Sequence, residues 1–178
     1  MDSLSSRDNA ILNCVFNPNL PLEESLSEKK LRDEEEPNPS INEVKELEMR
    51  AIACSEEGNL EEALQLLNKA IGIVPDKASL YNNRCHVYQF QRKFQEALDD
   101  VTKAINLATG TKLEKTLCQA HIQRGILHRR NGDMENAKID FQVAANMGSI
   151  FAKNQIVEMN PYAALCNQML RQVMEAWK

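Results

Sequence analysis

Three histidines, five cysteines and a repeated arginine are the residues of this chain whose chemistry and spacing could be functional. His121 and His128 are seven residues apart, which brings both to one face of a helix. That spacing would suit two metal ligands, but no carboxylate pattern accompanies the pair. Both also fall where aromatic packing residues are expected, so they read as structural. Cys85 and His86 are neighbours, so on a helix their side chains diverge by about 100° and cannot form a nucleophile–base dyad. Cys14, Cys54, Cys85, Cys118 and Cys166 are odd in number, widely spaced and without a CxxC pair. They read as reduced thiols, with neither a disulfide framework nor a zinc site. No P-loop, GxGxxG, GxSxG or HExxH is present. The reading is of a non-enzymatic chain, with no catalytic residue, metal or cofactor.

The elements carrying these residues are set by a repeat. GNLEEALQLLNKAIGIVP starts at Gly58, and RKFQEALDDVTKAINLAT starts 34 residues later at Arg92. A fixed period of this length marks stacked helical hairpins. Residues 44–77 and 78–111 are the first two units. In the third, 118–151, Ala137 lies 40 residues after Ala97, so six extra residues fall near Thr111–Thr116 and should lengthen a loop and a helix start. Each unit has an A helix, a short turn and a B helix. The turns fall at Gly58-Asn59, Arg92-Lys93 and Asn131-Gly132-Asp133, the second without glycine. Pro75 ends the first B helix. Small residues stand where helices cross closely: Ala51, Cys85 and Gly125 in A, and Ala63, Ala97 and Ala137 in B. Leu67, Val101 and Phe141 fill the space beside them, and Ala70, Ala104 and Ala144 accept the next unit. A lone hairpin cannot bury its apolar faces, so neighbours must stack. Arg50, Arg84 and Arg124 share one repeat position and read as bridges between helices, with Asp99, Asp100 or Asp140 as partners.

Residues 1–43 are an acidic leader. They carry ten acids and four bases, whereas 44–178 carry sixteen acids and seventeen bases. The near-neutral repeats argue against nucleic-acid binding. A short helix is expected near 8–16, stopped by Asn17-Pro18. Ser25–Pro39 reads as a solvated linker. No signal peptide and no membrane-length apolar run is seen. Residues 152–178 read as C-terminal capping helices, with Asn160 as an N-cap and Leu165, Met169, Leu170, Val173 and Trp177 apolar. The fold expected is all-α, a three-hairpin superhelix with those caps.

The 34-residue period, the paired alanines and Pro75 resemble the tetratricopeptide repeat family over about Val44–Phe151. YNNR at Tyr81–Arg84, NPYAALCNQML at Asn160–Leu170 and VFNPNLP at Val15–Pro21 extend the resemblance to one heat-shock chaperone-binding branch over nearly the whole chain. It implies a monomeric cytosolic adaptor of the seventy-kilodalton heat-shock protein. The alternative it implies is a stabilising partner that shields a metabolic enzyme of tyrosine metabolism from turnover.

In such stacks the A helices line a groove. Here it is expected to present Met49, Ile52, Asn82, Asn83, His86, Phe90, Ile122, Gln123, Ile126, Arg129 and Arg130 to a protein partner. The family's carboxylate clamp sets Lys and Asn, then Asn, then Lys and Arg along three A helices, because a terminal carboxylate needs converging charged donors. Among the matching positions Glu48, Ile52, Asn83, Gln119 and Gln123, only Asn83 fits. The chain is therefore expected to bind without that clamp. Its apolar strip takes either a partner segment or the chain's own leader through Ile11, Val15 and Phe16. Arg129 and Arg130 with Lys112 and Lys115 read as a modest basic end.

Overall fold

The structure, a computed structural model, describes residues 31–34 and 41–160 and, beyond them, Tyr162, Cys166, Met169, Leu170, Gln172 and Val173. The expected leader helix, its anchors Ile11, Val15 and Phe16, and Leu165 and Trp177 lie outside the described residues. The chain divides into two units, Leu31–Asp140 and one that includes Phe141–Lys178.

Helices alternate with short turns: α1 (Ile41–Glu56), α2 (Leu60–Ile73), α3 (Ala78–Phe90), α4 (Phe94–Ala108), α5 (Glu114–Arg130), α6 (Met134–Asn146) and α7 (Ile150–Glu158). The small-residue rule explains the packing. Ala51, Ala63, Ala70, Cys85, Ala97 and Ala104 are all fully buried, with Leu67 and Val101 filling the space beside them. One apolar cluster joins α1, α2 and α3 through Val44, Leu67, Leu80 and Val87. A second joins α3, α4 and α5 through Tyr81, Val101, Ala120 and Leu127. Burial pushes the Cys85 thiol up to about 12, so it stays protonated and inert.

Each A helix ends in the same hydrogen-bonded turn. Asn59 N–H donates to Cys54 O, Lys93 N–H to Tyr88 O and Asp133 N–H to His128 O, the six-to-one bond of a Schellman motif. That motif needs a left-handed residue. Gly58 and Gly132 supply it at φ 85° and 81°, whereas Arg92 adopts φ 60° with a side chain attached.

The six inserted residues are accounted for: one extends α4, one lengthens the following loop, and four extend the start of α5. This longer start is also where the linker reading fails for 31–34. Asp33 pairs with Leu113 as an isolated antiparallel bridge. Its carboxylate accepts from Lys115 N–H at 2.9 Å, Thr116 N–H at 3.1 Å and Thr116 Oγ at 2.7 Å. Glu34 adds a backbone bond to Lys112 O and an exposed ion pair to Lys112 Nζ. A charge-rich segment lies against the helix here because an aspartate meets the unpaired N–H groups of an α-helix start.

In the second unit, Ser149 Oγ accepts from Ala152 N–H and caps α7. Phe141 and Phe151 meet edge to face at 6.4 Å. Asn160 Oδ1 accepts from Tyr162 N–H, and Met169, Leu170 and Val173 are exposed.

Candidate partner-binding face

The exposed faces of α1 and α3 meet over a pocket of about 460 Å³. An A helix packs its alanine and cysteine stripe on its own B helix, which leaves the opposite face outward. On α1 that face carries Met49 and Ile52, and on α3 it carries His86 and Phe90, all exposed. Ile52, Leu60, Leu67, Val87 and Phe90 give the pocket its apolar wall. Ser55, Glu56, Asn83 and His86 add the polar atoms. The His86 and Phe90 rings stand edge to face at 4.8 Å. Partial burial holds the His86 imidazole below its ordinary range, which favours the neutral ring.

The clamp position on α3 is already engaged. Asn83 Nδ2 donates to Glu48 Oε1 at 2.8 Å, and Lys77 Nζ lies 3.1 Å from Glu48 Oε2 with both side chains largely buried. Glu48 thus takes up two of the donors on this face. Across the face, Gln89 Nε2 donates to Gln123 Oε1 at 3.3 Å and ties α3 to α5.

Of the eleven expected groove residues, Ile52, Asn83, His86 and Phe90 line this pocket together. Met49 stands exposed on α1. Ile122 and Gln123 are half-buried on α5, with Ile126 exposed beside them and Arg129 half-buried. Two side chains are differently employed. Asn82 is 3% exposed and its Oδ1 is buried without a hydrogen-bond partner, so its side chain does not stand open on this face. Arg130 lays its guanidinium on the Phe94 ring of α4 at 3.8 Å, a cation–π contact with a B helix. Nor do Arg129 and Arg130 share an end with Lys112 and Lys115. Arg129 and Arg130 close α5, whereas Lys115 stands in its first turn and Lys112 just before it, about 20 Å away at 1.5 Å per residue.

Two of the three repeated arginines, Arg84 and Arg124, build the expected bridges between helices. Arg84 Nε and Nη2 each donate to Asp100 at 2.7 Å, and Arg84 Nη1 donates to Asn68 at 2.7 Å, joining three helices. Arg124 repeats the fork on Asp140 at 2.8 and 2.7 Å. His121 Nδ1 lies 2.9 Å from the same carboxylate, which only accepts, so this nitrogen carries the proton. His128 Nε2 lies 3.9 Å away. Burial alone would raise the Asp140 carboxyl, but hydrogen bonds from His121 and Arg124 and the Arg124 charge bring it below its ordinary range. Among the described residues no group of His, Cys, Asp and Glu is arranged to hold a metal.

These features define a tetratricopeptide-type helical repeat protein. The family model described as TPR repeat matches residues 53–91. Solved structures agree on the fold. The N-terminal domain of stress-induced protein-1 from C. elegans superposes with a TM-score of 0.61 at 21% identity, covering 69% of this chain and 98% of that one. The second TPR domain of human RPAP3, solved with the HSP70 peptide SGPTIEEVD, gives 0.57 at 24% identity, covering 67% and 96%.

Full-length relatives narrow the class. The chain is 42% identical to the Tetratricopeptide repeat protein 36 homolog of Drosophila melanogaster over 99% of this chain and 97% of that protein. It is 38% identical to human Tetratricopeptide repeat protein 36 over 94% and 92%. The chain belongs to the Tetratricopeptide repeat protein 36 family.

Proposed function

We propose that this protein is a non-enzymatic, cytosolic, monomeric adaptor that binds the seventy-kilodalton heat-shock chaperone through the α1–α3 face without a carboxylate clamp. The observation that carries the reading is Glu48, which holds Asn83 and Lys77 inside a pocket with an apolar wall. The neighbour bound to an HSP70 peptide supports the choice of partner. The clamp positions speak for contact with a folded part of the chaperone rather than its acidic tail.

The test uses the full chain, purified chaperone, and ADP or ATP. Binding is expected to depend on the nucleotide, to survive deletion of the chaperone's C-terminal tail, and to be lost in Phe90→Glu. Loss on tail deletion alone would overturn the clamp-free reading. A second reading, a partner that shields an enzyme of tyrosine metabolism from turnover, is favoured by an apolar wall that needs no charged tail. It predicts nucleotide-independent capture of that enzyme.

A further inference from the structure

The three A-to-B turns differ in charge. The first reads Glu56-Glu57-Gly58-Asn59-Leu60-Glu61-Glu62 and carries four acids and no base. Arg92-Lys93 forms the second, and the third follows Arg129-Arg130. The negative end of a helix is ordinarily met by Lys, Arg or His. The last turn of α5 meets it with His128, Arg129 and Arg130. The last turn of α1 has no base, and Glu56 and Glu57 reinforce the negative end.

This unbalanced corner forms one edge of the pocket, since Glu56, Gly58 and Leu60 all line it. Among the described residues, the pocket lining contains no Lys or Arg. Lys77, on the same face, is held by Glu48, and Lys93 Nζ stands over the Tyr88 ring at 6.0 Å. Acidic residues therefore gather at the end of α1 and basic residues just past the end of α3.

We infer that the pocket selects a polypeptide segment with a large apolar side chain next to Lys or Arg, the apolar group entering between Ile52 and Phe90 and the cation facing Glu56 and Glu57. This inference rests on the proposed use of the face for protein binding and adds the chemistry of the segment. Two features carry it: the apolar wall offers area to an aliphatic or aromatic anchor, and the acidic rim at a helix C-terminus offers an uncompensated field to a cation. An acidic segment would meet Glu56 at the pocket edge, with Glu57 beside it in the chain.

The test is fluorescence anisotropy of the full chain with three short blocked peptides that share a central Phe flanked by Lys, by Gln or by Glu. The Lys peptide is expected to bind about fivefold or more tighter than the Glu peptide, with Gln between them. Raising NaCl from about 0.05 to 0.3 M should compress that ranking. Glu56→Gln/Glu57→Gln, at two exposed positions, should compress it at low salt, and Phe90→Ala should weaken all three peptides alike.

Equal binding of the three peptides, tightest binding by the Glu peptide, no binding of the Lys peptide, or a ranking unmoved by the double variant would each overturn the inference. If all three bind equally and Phe90→Ala weakens them, the face still binds polypeptide and only the charge rule falls. If the ranking holds while Phe90→Glu still captures the chaperone, the charge rule stands and the chaperone assignment to this face falls.

Discussion

The second and third hairpins build the same strut in different surroundings. In the second, Arg84 grips Asp100 while Tyr81 and Tyr88 bring their rings to 5.4 and 5.8 Å from its guanidinium carbon. In the third, the two ring positions are His121 and His128, and both point nitrogen at Asp140. In the first repeat Arg50 has Leu66 where the carboxylate would stand, sixteen residues on. The fold needs the helix crossing at this position more than it needs the ion pair. Where the pair exists, its neighbours decide how it responds. Tyrosine faces stabilise the arginine by cation–π contact. Histidines bind the aspartate and place an ionisable group beside it.

The largest effect expected from breaking this comparison comes from Asp140→Ala. It leaves Arg124 without its carboxylate in a largely buried site and should cost about 3–5 kcal/mol in urea unfolding. Asp100→Ala should cost less, about 2–3 kcal/mol, because Arg84 keeps Asn68 and two aromatic faces. Equal losses would mean that the ring-position residues do not matter.

Acid sharpens the same contrast. Because the folded Asp140 pKa lies below its unfolded value, its contribution is present above the ordinary carboxylate range and is lost as pH falls through the folded pKa. Denaturant midpoints followed downward from about pH 5 should fall more steeply for the wild-type chain than for Asp140→Asn.

Asp33→Ala removes three bonds from the start of α5 and should cost about 1–2 kcal/mol, with faster amide exchange at Lys115 and Thr116. The smallest effect belongs to the turns. Arg92→Gly gives the second hairpin the residue found in the third, and should raise stability by up to about 1 kcal/mol in the same unfolding assay.

Much of the helix layout could be read from sequence because small-residue spacing is a local signal. Ala63, Ala97 and their partners fix which helix faces meet, and Arg84 and Arg124 with their aspartates follow from the same register. The pocket residues Ile52, Asn83, His86 and Phe90 follow from it too. Asn82 is a departure because repeat position gives the direction of a Cα–Cβ bond. It does not reveal how much of that side chain the surrounding structure covers, here all but 3%. Arg130 departs because a long side chain reaches a ring on another helix. Asp33 carried no usable signal. Its partners lie more than eighty residues away, and its flanking charges look like those of any solvated linker. The acidic first turn is not singled out by sequence reading, because Glu56, Glu57, Glu61 and Glu62 look like an ordinary solvated face until Glu56 is seen to border a pocket.

The contact of Asp33 with Thr116, 83 residues apart in sequence, alters how this array can come apart. Stacked repeats otherwise depend on nearest neighbours, so they can fray from either end. Fastening the approach to α1 onto the head of α5 makes a clasp around the first two hairpins. Opening the first hairpin from the N-terminal side then costs these contacts as well, and such a long-range closure is expected to form late in folding.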